Sequence, residues 1–228
     1  MSRLPAKEIS FPVNNPAGTV SGLLLRPPAA KALLVLAHGA GAGIRHKFME
    51  TICTKLADLD IATLRYQFPY MEKGVKRPDT EAVLTDTVGA AMTAGKKLAG
   101  DLPLFAGGKS MGGRMTSLAA AREPLEEARG LVFLGFPLHA AGRPSSERGR
   151  HLAEVKAPML FLQGSRDTLA DLKLLKPLCD RLGNRAELFV IAGGDHSFHV
   201  LKSTGKSDDE VLDQLALKTS RWIIASQQ

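Results

Sequence analysis

Cysteine and long apolar runs are scarce in this chain of 228 residues. The two cysteines, Cys53 and Cys179, stand alone and match no metal-binding or redox spacing, so we expect two small buried residues. The longest apolar stretches, 32–37 and 131–138, are far shorter than the roughly 20 residues that a transmembrane helix needs. The N-terminus also lacks the apolar core of a signal peptide. We therefore expect a cytoplasmic protein with no membrane partner.

Aromatic residues are also few, at 5% of the chain, which matters for whether its positive charge indicates nucleic-acid binding. The formal net charge is +7, but the basic residues are scattered, with mild excesses only at 73–79 and 143–150. No aromatic residues are interleaved with them for base stacking. We expect a solvated basic surface and no nucleic-acid site, although the charge would weakly favour anionic substrates.

Short apolar runs alternate with amphipathic segments along the chain. Runs such as LLVLA, LVFLG and MLFLQ are continuously apolar, which is typical of strands buried on both faces of a parallel sheet. The predicted strands are 8–13, 19–26, 32–37, 61–66, 102–106, 130–135, 159–163 and 186–191. The predicted helices are 46–59, 79–98, a helix from 111, 169–182 and a last helix that follows Ser207.

This alternation predicts an α/β fold, with an open, mostly parallel sheet of eight strands and helices on both faces. No helix separates the first two strands, so the N-terminal edge is expected to be antiparallel. The chain has no internal repeat, low-complexity tract or linker, which predicts a single domain over residues 1–228. Pro177 is expected to break or bend the fourth helix, and Ser207 with Glu210 fits a capping box.

The stretch GGKSMGG, residues 107–113, places one serine between two pairs of glycines. It joins a predicted buried strand to a predicted helix, and a serine at such a sharp turn has its hydroxyl lifted clear of the sheet. Gly108 and Gly112 fill the small positions of the G-x-S-x-G motif, where strand and helix backbones nearly touch. The setting favours Ser110 as a nucleophile over an incidental serine in a glycine-rich turn.

A serine nucleophile needs a base and a group that orients the base. Asp167 follows the predicted strand 159–163, and His196 follows the predicted strand 186–191. The order serine, acid, histidine is the one that this type of turn predicts. His196 would take the serine proton and return it to the leaving group, while Asp167 would fix the imidazole tautomer.

Other residues compete for these two roles. Asp195 and Asp171 are alternative acids, and His199 is the second choice for the base. Asp167 on its own could instead cap a helix that begins near Leu169. The remaining histidines considered are expected to be structural or rim residues: His46, His139 and His151.

Two backbone N–H groups are predicted to bind the oxyanion of the transition state. One belongs to Met111, at the start of the helix after the nucleophile. The loop 38–41, His-Gly-Ala-Gly, resembles the histidine–glycine oxyanion loops of esterases, which implies the N–H of Ala40 as the second donor. Walker spacing with its lysine is absent, and GAGAG lacks the dinucleotide-binding spacing. We expect no cofactor and no metal ion.

Six stretches carry a family resemblance: AHGAGAG, LRYQFPYME, GGKSMGGRM, GFPLH, FLQGSRDTLA and GGDHSF. They resemble α/β-hydrolases, and more narrowly the small, lidless branch related to dienelactone hydrolases. Within it, the sequence is most similar to hydrolases represented by testis-expressed-protein-like and non-specific-lethal-complex-subunit-like sequences. Ser110, Asp167 and His196 fall on the triad positions of that family. Serine stands where dienelactone hydrolases have cysteine, which favours oxygen esters or thioesters as substrates.

Residues 140–158 are too few to form the helical cap that larger relatives insert after the sixth strand. We therefore expect a shallow, open cleft, with one wall formed by 68–78. The predicted substrate contacts in this wall are Phe68, Tyr70 and Met71. Lys109 and Arg114 lie beside the nucleophile, and a buried ion pair is expected for each, with binding of a substrate carboxylate as the alternative.

The sequence thus predicts a metal-independent serine hydrolase that cleaves small acyl esters or thioesters through an acyl-enzyme. A non-catalytic interaction module that keeps the fold is one alternative, since one protein of the resembling group is a chromatin-complex subunit. A peptidase for small peptides is another, although nothing in the chain resembles a propeller or cap that would select peptide ends.

Overall fold

Eight strands form one sheet in the computed structural model, which describes residues 4–13, 18–125 and 127–227. The strands are β1 (Lys7–Val13), β2 (Gly18–Leu25), β3 (Ala32–Ala37), β4 (Ile61–Tyr66), β5 (Leu104–Lys109), β6 (Ala128–Leu134), β7 (Met159–Gly164) and β8 (Ala186–Ile191). Their spatial order is β1-β2-β4-β3-β5-β6-β7-β8. β2 pairs antiparallel with β1 and β4, and the other strand pairs are parallel. The predicted sheet with its antiparallel N-terminal edge is confirmed.

Helices cover both faces of this sheet. They are α1 (Lys47–Ala57), α2 (Pro69–Glu72), α3 (Glu81–Ala99), α4 (Met111–Arg122), α5 (Leu172–Leu182) and α6 (Asp208–Ala225). One apolar layer lies between the sheet and α3, α4 and α5, and the other lies between the sheet and α1 and α6. No helix among the described residues combines the length and apolar character that a bilayer crossing requires.

β3 shows why the central strands are continuously apolar. All six of its residues are buried, and alternate side chains enter opposite layers. Leu33 and Val35 pack in the α3–α4–α5 layer, whereas Leu34 and Leu36 pack in the α1–α6 layer. Full burial of one such side chain contributes roughly 1.5–3 kcal/mol, so a polar residue on either face would be costly.

Several boundaries differ from the sequence prediction by one or two residues, and two differ by three residues. β5 does not end at residue 106 but continues through Gly107 and Gly108 to Lys109. A side chain on Gly107 would collide with the backbone of Val132 in β6, so this glycine allows close strand contact and does not form a turn. α5 begins at Leu172 because Asp171 caps it.

The expected break at Pro177 is wrong, because α5 continues through this residue to Leu182. Pro177 lies in the middle of the helix, where its missing N–H removes one intrahelical hydrogen bond without ending the helix. The capping box of α6 is confirmed: Ser207 Oγ accepts from the Glu210 N–H at 3.2 Å, and Glu210 Oε2 accepts from the Ser207 N–H at 2.7 Å. Between β6 and β7 the helical structure is the 3₁₀ helix Glu147–Glu154, which packs on α4.

Candidate active site

The strand order leaves a crevice at the carboxyl ends of β3 and β5. These strands are neighbours, but the chain continues from β3 to β4 on one side and from β5 to β6 on the other. A reversal of this kind separates the loops that follow the two strands, and ligands of α/β proteins commonly bind there. Ser110 follows β5 at this point, and Asp167 and His196 follow β7 and β8 at the same edge of the sheet.

Ser110 occupies a strained turn between β5 and α4. Its φ of 51° and ψ of −119° lie in a region that residues with a side chain rarely adopt. Such a conformation costs about 1–3 kcal/mol and persists only where the surroundings impose it. A Cβ on Gly108 would lie 2.6 Å from the backbone of Gly112 and Gly113, so the strand and helix are in direct backbone contact. This contact fixes the serine at the apex of the turn.

The imidazole of His196 connects the serine to the acid. Its Nε2 lies 2.8 Å from Ser110 Oγ, and its Nδ1 lies 2.7 Å from Asp167 Oδ2. The Asp167 carboxylate is fully buried, whereas the His196 side chain is 24% exposed. With the proton on Nδ1 donated to the carboxylate, Nε2 is free to accept the serine proton. The structure thus brings together the three residues that the sequence singled out.

Gln163, which the sequence analysis missed, holds the acid in place. Its Nε2 donates to Asp167 Oδ2, and its Oε1 accepts from the Phe136 N–H at 2.9 Å. Asp167 Oδ1 accepts from the Leu169 N–H at 2.8 Å, so the carboxylate has partners on both oxygens. Gln163 is fully buried at the end of β7. The available signal was a single amide in the otherwise apolar run MLFLQG.

The competing acids and base have other partners. Asp195 Oδ1 accepts from the N–H groups of Ser197 at 2.8 Å and His199 at 2.9 Å, which closes the loop around His196. His199 lies 2.8 Å from Asp208, and this contact raises the pKa of its exposed imidazole. Asp171 caps α5. The other histidines have partners of their own. His46 contacts Phe48, His139 contacts Asp171, and His151 contacts Ser117.

The predicted oxyanion donors lie on the two sides of the nucleophile. Met111 begins α4, where the first N–H groups of a helix have no intrahelical acceptor. Ala40 lies in the loop after β3, which passes beside the serine: a Cβ on Gly39 would lie 3.7 Å from Ser110 Cβ. Met111 is therefore next to Ser110 in the chain, and the loop that carries Ala40 is next to it in space. Oxyanion binding by their N–H groups stays a prediction.

His38 and Tyr70 fix the shape of this loop. His38 Nδ1 donates to the Gly39 carbonyl at 2.7 Å, and Nε2 accepts from the Phe68 N–H at 3.2 Å. Burial lowers the pKa of His38 to about 4, so the ring is neutral near pH 7 and can keep both bonds. Tyr70 Oη accepts from the Gly41 N–H at 3.0 Å, and burial raises its pKa. The loop is therefore preorganised.

Two of the predicted substrate contacts lie beneath the loop. Phe68 and Tyr70 are 0% and 1% exposed, and the Phe68 ring packs edge-on against His38 with centroids 5.0 Å apart. Met71 is partly exposed and lies next to Gly43. Substrate contact stays a prediction for all three, and burial indicates that Phe68 and Tyr70 support the loop.

The two cations near the nucleophile differ in their surroundings. Arg114 pairs with Glu81 at 3.5 Å, so the expected ion pair forms, but it is partly exposed and not buried. The ion pair predicted for Lys109 does not form among the residues that the structure describes, so this prediction is wrong. Its Nζ donates instead to the backbone carbonyl of His196 at 2.7 Å.

Similar proteins share this architecture. A dienelactone hydrolase from Anabaena variabilis superimposes with a TM-score of 0.75 and 19% identity, covering 98% of this chain and 99% of that one. A serine hydrolase without a lid from Xanthomonas campestris gives a TM-score of 0.72 and 19% identity, covering 97% of each chain. At these identities the likeness shows the fold.

Curated relatives from two strains of Mycobacterium tuberculosis are provisionally named phosphoribosyl transferases. They are 28% identical over 214 residues, which are 90% of this chain and 43% of theirs. This chain therefore spans less than half the length of the curated relatives that it matches. A family model described as an alpha/beta hydrolase domain matches residues 30–224. The chain belongs to the alpha/beta hydrolase domain family.

Proposed function

We propose that this chain is a serine hydrolase that cleaves small acyl esters or thioesters through an acyl-enzyme. The observation that carries the proposal is the position of His196, within hydrogen-bonding distance of both Ser110 Oγ and Asp167 Oδ2. A serine, a base and an orienting acid in this geometry are the parts that nucleophilic acyl transfer requires.

The first half of the reaction forms the acyl-enzyme. Ser110 Oγ attacks the acyl carbon while its proton passes to His196 Nε2, and the buried Asp167 stabilises the imidazolium. The carbonyl oxygen becomes an oxyanion that accepts hydrogen bonds from the N–H groups of Met111 and Ala40. Collapse of this intermediate breaks the bond to the alcohol or thiol, which leaves with the proton from Nε2.

Water completes the cycle by the same route in reverse. It attacks the acyl carbon and gives a proton to His196 Nε2, and the second tetrahedral intermediate then releases the acid. Ser110 Oγ recovers its proton from the imidazolium. These steps use only groups of this chain and water.

The expected open cleft suits small substrates. The 3₁₀ helix Glu147–Glu154 is the helical structure between β6 and β7, where a cap would be inserted, and it lies against α4. Met71 is the partly exposed member of the predicted substrate contacts.

Two other functions have less support. A non-catalytic interaction module does not need a strained serine backed by a base and a buried acid. A peptidase would share the chemistry, and it is separated from an esterase by its substrates. The Mycobacterium relatives are named as phosphoribosyl transferases, but the match with this chain covers only 43% of their length. Their name therefore does not assign a transferase activity to this chain.

The test is labelling with a fluorophosphonate, which reacts with activated serines. We expect the wild type to be labelled and to hydrolyse p-nitrophenyl acetate, and we expect Ser110→Ala to lose the label and at least about 10³-fold in kcat. Ser117→Ala is the matched control. Ser117 also contacts a histidine, at 2.8 Å from His151 Nε2, but it is fully buried, so the variant should keep the label.

An unlabelled wild type, or equal labelling of the Ser110→Ala variant, would contradict the proposal. Faster cleavage of amino-acid p-nitroanilides than of p-nitrophenyl acetate would favour the peptidase.

A further inference from the structure

Lys109 is a partly buried cation whose partners are unusual for a lysine. Its Nζ donates to the carbonyl oxygen of His196 at 2.7 Å and lies 5.7 Å and 5.5 Å from the ring centroids of Phe48 and Phe198. Among the described residues, no carboxylate lies within ion-pair distance of it. A carbonyl and two aromatic faces therefore hold the ammonium group.

Keeping the charge in this place is costly. Burial lowers the pKa of Lys109 to about 8, although Asp167 and Asp195 act in the opposite direction. An apolar chain of similar length, such as methionine, would fill the same space without the desolvation cost. Stability alone does not explain a lysine here.

The loop that carries His196 shows what the lysine achieves. Asp195 closes the loop through the N–H groups of Ser197 and His199, and Phe198 takes a φ of 65° within it. These features set the internal shape of the loop but not its distance from the nucleophile.

Two hydrogen bonds join residues 193–200 to residues 104–122 in the described structure, and both involve His196. One is the contact from Nε2 to Ser110, and the other is the bond from Lys109 Nζ to the His196 carbonyl. Because Lys109 and Ser110 are adjacent in the chain, the second bond ties the backbone of the base to the backbone of the nucleophile.

Gly135 makes room for this bond. A Cβ at Gly135, which has a φ of 72°, would lie 3.0 Å from Lys109 Nζ and 3.4 Å from the His196 carbonyl oxygen. The close approach of lysine, carbonyl and glycine is thus built from three separate segments of the chain.

From these contacts we infer that Lys109 is a positioning residue, whose ammonium group holds the His196 backbone so that the imidazole meets the Ser110 hydroxyl. This role rests on the proposed function. The lysine does not touch the reacting atoms but acts through His196.

The test compares Lys109→Met, which removes the donor and charge, with Lys109→Arg, which keeps both. Lys97→Met is the matched control, because it removes a lysine from an exposed position on α3. With p-nitrophenyl acetate, we expect Lys109→Met to lose about 10- to 100-fold in kcat with KM within about 3-fold, since small misplacements of catalytic groups have effects of this size. Lys109→Arg should retain more of kcat, and Lys97→Met all of it.

Two further measurements separate positioning from a general loss of structure. The melting temperature of Lys109→Met should equal or exceed that of the wild type, because a desolvated charge is removed. The NMR signal of the His196 Nδ1 proton, which reports its bond to Asp167, should broaden or disappear in Lys109→Met and persist in Lys97→Met.

The inference is overturned if Lys109→Met keeps kcat within 2-fold of a wild type that is labelled at Ser110, or if its kcat falls only in proportion to lost folded protein. A wild type with no label and no hydrolysis overturns the proposed function instead. In that case the Nδ1 proton signal still decides whether Lys109 holds the imidazole, and an unchanged signal in both Lys109 variants refutes the inference.

Discussion

Acid should destabilise this fold through His38. The ring is fully buried in the loop after β3, and burial lowers its pKa from 6.5 to about 4. Below pH 6.5 the unfolded chain binds a proton at His38 that the folded chain does not bind. The free energy of unfolding therefore falls as the pH falls from 6.5 towards 4, and is unaffected by this group above 6.5.

The size of the effect follows from the two pKa values. Between pH 7.5 and pH 5, a shift of this extent removes about 2 kcal/mol from the free energy of unfolding, and at pH 4 about 3 kcal/mol. His151 acts in the same direction, because burial and then the charge of Arg114 lower its pKa to about 4. His38 and His151 together should therefore remove more stability between pH 7.5 and pH 5 than His38 alone, although the partial exposure of His151 makes its contribution the smaller one.

Urea unfolding followed by the fluorescence of Trp222, the single tryptophan, measures this loss. We expect His38→Gln to lose about 2 kcal/mol less than the wild type between pH 7.5 and pH 5, whatever its stability at pH 7.5. His199→Gln is the control. Asp208 raises the pKa of His199, so its pairing stabilises the fold at low pH and weakens as the pH rises. Equal losses in the wild type and in His38→Gln would refute the reasoning.

Two further substitutions test the support of the acid and the turn. Gln163→Leu should lower kcat about 10- to 100-fold on p-nitrophenyl acetate, because Asp167 Oδ2 loses a donor and the Phe136 N–H loses its acceptor; an unchanged kcat would contradict this. Gly108→Ala should reduce the free energy of unfolding by about 3 kcal/mol, since its Cβ would meet backbone atoms at 2.6 Å. Gly89→Ala in α3, where nothing lies within 4 Å, should instead add about 1 kcal/mol, and urea unfolding compares the two.

The strands could be located from the sequence because a strand that is buried on both faces needs a continuous run of apolar residues. β3, β4 and β8 begin and end at the predicted residues. The end of β5 was missed because glycine is typical of turns, whereas Gly107 lies inside the sheet against Val132. Local composition does not distinguish a glycine that turns the chain from one that lets two backbones touch.

The proposed nucleophile, base and acid could be anticipated because their chemistry restricts the residue types and their order along the chain. The groups that hold them could not. Lys109 meets a carbonyl that is 87 residues away in the sequence, and that pairing depends on how β5 and the loop after β8 come together. Phe68 and Tyr70 bond the loop after β3 from below, and the sequence alone does not distinguish such a buried support from a surface residue that contacts substrate.

The position of β8 at the edge of the sheet makes one part of the site easier to unfold locally than the rest. It is an edge strand that pairs with β7 and has half-buried side chains, whereas β3 and β5 lie at the centre of the sheet. Edge elements detach with less free energy than central ones. The imidazole follows the edge strand, and the hydroxyl and the loop of His38 follow the central pair. Fraying of this edge would therefore detach His196 first, so the proposed hydrolysis would stop reversibly while most of the fold stays intact.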